Sequence, residues 1–196
     1  DTHVVCLKNN QCLPLNDLNV PTVYVSLGGN SDALHQGIKR FSDGRFLQVF
    51  AEEDLAKLDT LKTERIILSI HPVHPDSLTI NGWIWEALRR IPPARERILL
   101  TFGKIPPQMT SLISTFDGIL MAPENHTHMQ DRISQQVMGA IPIEGKLKQG
   151  LGVFKRGTGI KVAVNGRLRF STPEELKMRS ADFNRIDQLA KNGITS

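Results

Sequence analysis

The sequence is poor in cysteine and in aromatic residues. Only 2 of its 196 residues are Cys, and aromatic residues make up 6%. Cys6 and Cys12 lack the C-x-x-C spacing, and no Cys or His pair elsewhere matches them, so they do not indicate a zinc site. We interpret them as half-buried apolar side chains near the N-terminus. A short local disulfide is the alternative if the protein is exported.

No apolar run approaches the roughly 20 residues that cross a membrane as a helix. The sequence begins at Asp1 without Met and without the apolar core of a signal peptide, so we expect a processed or truncated piece. This end of the chain therefore says nothing about the compartment. With 40% hydrophobic and 22% charged residues, the composition is that of an ordinary globular protein with one core and an appendage.

The positive charge is concentrated near the C-terminus. The sequence has 24 Lys and Arg against 20 Asp and Glu, a formal net charge of +4. The basic residues between positions 146 and 179 are Lys146, Lys148, Lys155, Arg156, Lys161, Arg167, Arg169, Lys177 and Arg179. A nucleic-acid surface of this kind needs interleaved aromatic residues or a recognised module, and only Phe154 and Phe170 are present. We interpret the stretch as a solvated, extended linker and predict no nucleic-acid partner.

Five apolar runs alternate with amphipathic segments. They predict strands at residues 23–27, 46–50, 66–70, 98–102 and 119–122, and their near-continuous apolar character is typical of a parallel sheet buried on both faces. Each run is followed by a segment with helical periodicity, long enough for a crossover between parallel strands. The pattern predicts an α/β fold with a doubly wound, mostly parallel sheet of five to six strands and helices on both faces. The expected strand order is the flavodoxin-like 2-1-3-4-5.

Three parts are predicted along the chain. Residues 1–21 form a lead-in from an upstream domain, and residues 22–160 form the α/β domain. Residues 161–196 form a linker and the truncated start of a next domain, with one more helix beginning at Ser180 or Asp182. A short strand within residues 159–164 is expected to pair at an edge of the sheet.

Ligands of open α/β folds bind at the carboxyl edge of the sheet. The residues predicted to follow strands there, and thus the candidate ligand-binding residues, are Gly28, Gly29, Asn30, His71, His74, Glu124 and His126. His128, Asp76 and Asp131 lie near these residues in the sequence, so one interpretation is that the histidines form a metal or phosphate site. The strands before the two histidine pairs are not neighbours in the expected order, however. We therefore interpret the histidines as solvated loop residues and predict neither a metal nor a cofactor. The turn at residues 28–31 matches neither of the glycine-rich phosphate-binding motifs, G-x-G-x-x-G and G-x-x-x-x-G-K-S/T, and we interpret it as an ordinary turn.

Two segments stand at the ends of this series: residues 7–15, LKNNQCLPL, and residues 136–147, QVMGAIPIEGKL. The first looks like the LLKN…LLPL lead-in, and the second like the closing FGxxxxxGKLP segment, of the C-terminal α/β domain of glycoside hydrolase family 3, which this part of the chain therefore resembles. Lys148 stands where the family has Pro. Residues 168–190 are similar to the opening of a penicillin-binding-protein-like serine hydrolase domain, whose Ser-x-x-Lys motif would lie beyond Ser196.

The resemblance implies that the chemistry lies outside this chain. The family's nucleophile is an Asp on an N-terminal (β/α)8 barrel. Members of the β-glucosidase type carry an acid/base Glu in a loop of this domain, but the matching residues 70–77, IHPVHPDS, contain no Glu. The N-acetylglucosaminidase branch uses a His from a barrel loop instead. Retaining hydrolysis needs two carboxyl groups or their equivalents at one bond, and we identify no such pair and no catalytic residue here.

The leading hypothesis is a non-catalytic accessory domain of an exported bacterial enzyme that hydrolyses β-linked, N-acetylglucosaminyl glycosides. Its expected partners are the upstream barrel, the downstream serine hydrolase domain and carbohydrate at the barrel interface. The alternative is a flavodoxin-like module that binds a small molecule or a phosphate ligand. A third idea is a metal-dependent hydrolase that uses the histidine loops.

Overall fold

The computed structural model describes residues 3–72, 82–103 and 105–183, and these residues contain a six-stranded sheet. Its strands are β1 (Val5–Asn9), β2 (Thr22–Gly28), β3 (Arg45–Val49), β4 (Arg65–His71), β5 (Glu96–Phe102) and β6 (Gly118–Ala122). Their order is β1-β6-β5-β4-β2-β3. Strands β2 to β6 are parallel, and β1 pairs antiparallel with β6. The predicted α/β class and the order of the five parallel strands are confirmed.

The first strand belongs to the segment that the sequence predicts as a lead-in. Cys6 pairs with Leu120, and Asn9 pairs with Gly118, so β1 covers the edge of the sheet that β6 would otherwise expose. Its sequence, VCLKN, is only partly apolar, and it lies at an edge rather than inside the sheet. Both features weaken the hydrophobic signal from which strands are predicted.

Within the described ranges, five helices flank the sheet: α1 (Asp32–Lys39), α2 (Ala56–Asp59), α3 (Gly82–Arg90), α4 (Thr110–Ile113) and α5 (Thr127–Val137). Helices α2 and α4 are single turns, each preceded by a 3-10 turn, at Glu52–Asp54 and Pro107–Met109. Apolar side chains of α1 and α5 share one core with the sheet, and those of α2, α3 and α4 share the other. Helices therefore cover both faces, as a doubly wound fold requires. None of the described helices has the length and apolar character to cross a membrane.

The two cysteines are fully buried, deeper than the sequence suggested. Cys6 is 0% and Cys12 6% exposed, and both are free thiols. Burial is the main reason that the pKa of Cys6 rises to about 12 and that of Cys12 to about 11. Both side chains therefore stay protonated and act as apolar core residues.

The segment after residue 158 is extended, but it is not a free linker. The predicted strand at residues 159–164 is reduced to one bridge between Val162 and Ile143 and a hydrogen bond from Ile160 N to Cys6 O at 2.9 Å. Val162 is only 4% exposed. The interpretation of this part as a solvated linker is therefore wrong for Val162, whereas Ile160 and Val164 are exposed. The helix predicted from Ser180 or Asp182 lies mostly outside the described residues, and its described part, Ser180–Phe183, forms a 3-10 turn.

Candidate functional site at the carboxyl edge of the sheet

The strand order places the β2–β4 boundary at the point where the chain changes its winding direction. Ligands of doubly wound sheets bind outside this boundary. Ser26 is in register with Ser69, and Gly28 is in register with His71. Of the predicted site residues, Gly28, Gly29 and His71 therefore lie together here. His74 falls outside the described residues.

The turn after β2 is packed tightly against the end of β4. Gly28 has φ +92°, and a Cβ atom there would lie 2.3 Å from the His71 carbonyl oxygen. The amide of Gly29 donates to that same oxygen at 2.9 Å. A phosphate-binding turn presents its backbone N–H groups to the ligand, and here the Gly29 N–H is already used within the protein. Asn30 is exposed, and its side-chain oxygen accepts from Asp32 N at 2.9 Å, which supports the start of α1.

His71 is buried, with 0% of its surface exposed, so the prediction of a solvated loop histidine is wrong for this residue. Its ring stacks on Phe102, with the two centroids 4.5 Å apart. Its Nε2 atom lies 2.9 Å from Ser69 Oγ, and its Nδ1 atom lies 3.0 Å from Asn125 Oδ1. Desolvation lowers the pKa of His71 to about 4, so the ring is neutral at neutral pH.

A chain of hydrogen bonds runs through this buried site and determines which nitrogen of the His71 ring carries the proton. Asn125 Oδ1 accepts from Gln130 Nε2 at 2.8 Å, so the same oxygen accepts the proton on His71 Nδ1. The other ring nitrogen of His71 then accepts from Ser69. The Ser69 hydroxyl lies 2.8 Å from that of Ser26, which is also 2.8 Å from His35 Nε2. Each donor in this chain meets an acceptor, as buried polar groups require.

Ser69, His71 and Asn125 have the connectivity of a nucleophile, a base and an orienting group. The serine is 2% exposed, however, and it lies between the sheet and the layer formed by α1 and α5. A nucleophile must reach the substrate, and this hydroxyl does not reach the surface. The arrangement therefore has a structural role, because it holds the loop after β6 against the end of β4.

Gln130 extends the network to α1. Its side-chain oxygen accepts from Leu34 N at 3.1 Å, and its amide donates to Asn30 O at 2.8 Å. Ser31, the N-cap of α1, makes no side-chain capping hydrogen bond, so Gln130 of α5 satisfies an N–H group that the first turn leaves open. Sequence reasoning missed Asn125 and Gln130, since nothing in a single sequence marks an amide side chain in a loop or a helix as part of a network.

Glu124 and His126 lie together on the surface of the same edge. Their side chains are 66% and 47% exposed, and Glu124 Oε2 is 3.3 Å from His126 Nε2. His126 caps α5 by accepting from Met129 N at 3.2 Å. A general acid that works at neutral pH usually lies in an apolar, water-poor pocket, and the Glu124 side chain lies on the surface instead. Within the described ranges no three His, Cys, Asp or Glu side chains come together as metal ligands.

A second feature of this edge is an apolar cavity of about 490 Å³ at the ends of β5 and β6. Its walls include Ile105, Met121, Leu147 and Leu151, and Lys146 lies at its margin. The volume falls within the roughly 300–1,000 Å³ of small-molecule sites. None of the predicted site residues lines it.

Several solved structures of glycosidases contain a part that is similar in fold to this chain. A fungal multidomain glycoside hydrolase family 3 β-N-acetylglucosaminidase with a GCN5-related glucosamine N-acetyltransferase region matches 82% of this chain and 19% of its own, with TM-score 0.55 and 11% identity. The β-glucosidase of Listeria innocua in complex with glucose matches 76% of this chain and 25% of its own, with TM-score 0.64 and 14% identity. A glycoside hydrolase family 3 β-N-acetylglucosaminidase of Paenibacillus sp. matches 72% and 29%, with TM-score 0.58 and 13% identity.

The chain thus spans between 19% and 29% of the length of these neighbours. Because the sequence identities are this low, the structural similarity establishes the fold alone. No protein-family model matches the sequence, and no curated protein matches it.

Proposed function

We propose that this chain is a non-catalytic domain of a multidomain glycoside hydrolase of family 3 that cleaves β-linked glycosides. The observation that carries the proposal is the partial match: most of this chain corresponds in fold to only 25% of a β-glucosidase and 29% of a β-N-acetylglucosaminidase. A unit of this size accounts for one domain of such an enzyme. The segments at residues 7–15 and 136–147 support the same family.

The carboxyl edge supports a non-catalytic role. Its hydrogen-bonded polar side chains Ser69 and His71 are buried in the domain. Among the described residues, Glu124 and His126 form an exposed pair at this edge. Glycoside hydrolysis needs two carboxyl groups, or equivalents, on either side of one bond, and the proposal assigns these to an upstream (β/α)8 barrel. This domain would pack beside that barrel and shape its surroundings.

The finer features of the proposal follow from the resemblance. The absence of Glu from residues 70–77 favours the branch that takes its acid/base from the barrel, and hence an N-acetylglucosaminyl substrate. An exported bacterial enzyme with a serine hydrolase domain downstream completes the proposal. The predicted boundaries at residues 21 and 160 are kept as part of the proposal, with β1 of the lead-in segment joining the sheet of the α/β domain.

The coding sequence on both sides of this chain provides the first test, with a barrel expected upstream and a Ser-x-x-Lys domain downstream. The full polypeptide should then release p-nitrophenol from p-nitrophenyl N-acetyl-β-glucosaminide. Replacing the barrel's aspartate nucleophile should abolish this turnover, while Glu124→Gln should retain it. Loss of turnover in Glu124→Gln at unchanged stability would place a catalytic group in this domain and overturn the proposal.

The apolar cavity favours a second candidate, a module that binds a small molecule. A ligand would then sit at the ends of β5 and β6 rather than at the Gly28 turn. Fragment screening by NMR tests this. Ligand-induced shifts that centre on Met121 and Leu147, and that Met121→Trp removes by filling the cavity, would support the module.

A further inference from the structure

Residues 145–173, which we call the basic strap, differ in charge from the rest of the chain. They contain seven Lys and Arg and no Asp or Glu. Since the whole sequence has a formal net charge of +4, the remainder carries −3. Arg169 pairs with Glu175 at 2.5 Å, and Arg167 donates to carbonyl oxygens of the domain beneath it. The exposed cations Lys155, Arg156 and Lys161 therefore supply the positive surface that attracts acidic partners.

The strap also carries most of the large apolar side chains that are exposed among the described residues. Among the described residues, five of the eight large apolar side chains that are exposed belong to it: Val153 (58%), Ile160 (40%), Val164 (51%), Leu168 (85%) and Phe170 (43%). Single exposed apolar residues are common, but a concentration of them on one segment marks an interaction surface.

This surface is held in place by the domain beneath it. Asn165 N donates to Gly139 O at 3.0 Å, and the Asn165 side chain donates to Leu15 O at 3.1 Å. Arg167 donates to the carbonyl oxygens of Leu15, Asn16 and Met138. Phe170 N donates to Gln135 Oε1 at 2.9 Å. These hydrogen bonds hold the backbone of the strap in place, although Asn165 Oδ1 is buried without a hydrogen-bond partner. The outward-facing apolar and cationic groups therefore lie on an anchored backbone, which lowers the entropic cost of binding.

We infer that the basic strap is a docking surface for an acidic protein surface with an apolar centre, carried by a neighbouring domain of the parent polypeptide. This inference rests on the proposed function for the existence of that neighbour. A symmetric pair of copies of this chain would place strap on strap and Lys on Lys, since an isologous interface brings the same patch from both subunits together. An acidic partner instead pairs with Lys155 and Lys161 at the rim and covers Val164 and Leu168 at the centre.

Carbodiimide cross-linking of the full polypeptide, followed by mass spectrometry, tests the inference. The reagent activates a carboxylate, which the neutral amine of a nearby Lys attacks to form an amide while the reagent leaves as a urea, so cross-links report Lys and carboxylate groups at salt-bridge distance. We expect cross-links from Lys155 and Lys161 to Asp or Glu residues outside residues 1–196. The double variant Val164→Asp, Leu168→Asp should lose them at least tenfold. Phe50→Asp is the matched control, because Phe50 is 56% exposed but lies beyond β3 at the far edge of the sheet.

Four results would overturn the inference. The first is the absence of cross-links from these lysines to other domains. The second is cross-linking between copies in a mixture of isotopically light and heavy protein. The third is equal loss in Phe50→Asp. The fourth is binding of a 20-base-pair DNA duplex, or of vesicles containing phosphatidylserine, at physiological salt that Lys155→Glu, Lys161→Glu abolishes. Turnover of the aryl glycoside by the same samples separates the two proposals. Activity without cross-links contradicts only the docking surface, and cross-links without activity contradict only the glycosidase.

Discussion

Arg167 donates a hydrogen bond of 2.5 Å to the carbonyl oxygen of Met138, the residue that caps the C-terminus of α5. The last carbonyl groups of a helix lack partners within the helix and carry the negative end of its dipole. A guanidinium at this place supplies both a donor and a positive charge. The same group reaches back to Asn16, so it joins the strap, α5 and the segment between β1 and β2.

Replacing this side chain should weaken the whole domain. For Arg167→Ala we expect the free energy of unfolding to fall by about 2 kcal/mol, because charge-assisted hydrogen bonds to buried carbonyls are lost. Arg156→Ala, at an exposed position of the same strap, should change it by less than about 0.5 kcal/mol. Urea denaturation followed by circular dichroism measures both. Equal effects of the two substitutions would mean that Arg167 does not anchor the strap.

Gly28 should tolerate no side chain. In Gly28→Ala the new Cβ would meet the His71 carbonyl oxygen at 2.3 Å, and φ would stay at +92°. We expect a loss of about 2 to 3 kcal/mol in unfolding free energy, from backbone strain and from displacement of β4. Gly82→Ala is the control, because a Cβ there meets nothing within 4 Å and Ala favours helix α3. Similar melting temperatures for the two variants would argue against the tight turn.

The neutral state of His71 predicts a dependence of stability on pH. Its pKa is lowered from 6.5 to about 4 by burial, so between these values the unfolded chain binds a proton that the folded chain does not. The contribution of neutral His71 to the free energy of unfolding is therefore complete above pH 6.5 and decreases as the pH falls towards 4. The total decrease from this group is about 3 kcal/mol. Burial also lowers the pKa of His35, which adds to the loss in the same direction.

Urea denaturation between pH 4.5 and 7.5 measures this dependence. His71→Gln should flatten the curve, whereas His128→Gln, at an exposed site, should leave the slope unchanged. An imidazole proton shift of His71 that titrates near pH 6.5 in the folded protein would contradict the buried, neutral assignment.

Ser69 should matter for stability and not for reactivity. Ser69→Ala leaves the Nε2 atom of His71 without its donor, so a loss of about 1 to 3 kcal/mol is expected. A fluorophosphonate probe, which modifies activated serines, should leave the folded protein unlabelled, since this hydroxyl is buried. Mass spectrometry after overnight incubation shows the outcome, and an adduct on Ser69 would reveal an accessible nucleophile.

The parallel sheet could be predicted because its signal is local. Residues 66–70 and 98–102 are almost wholly apolar, and strands buried on both faces need little else to be recognised. The edge strand β1 was missed because an edge requires fewer apolar residues. The docking of the strap depends on contacts such as that of Arg167 with Leu15, 152 residues away in sequence, and no pattern in one sequence reveals such a pair.

The candidate site shows the same division between local and long-range information. Its place at the carboxyl edge follows from the strand order. The burial of His71 does not, because the adjacent Pro72 suggests a loop, whereas β4 continues to His71 and Phe102 of the next strand covers the ring. Asn125 joins the site only because the loop after β6 crosses the end of β5 to reach β4.

The proposal holds that this chain forms a stable domain but does not supply all the catalytic groups that glycoside hydrolysis needs. The most direct measurement is an assay of purified residues 1–196 on p-nitrophenyl N-acetyl-β-glucosaminide and p-nitrophenyl β-glucoside, with folding verified by circular dichroism. We predict release of p-nitrophenol no faster than in buffer. Turnover well above that rate, lost in Glu124→Gln while the fold persists, would contradict the account.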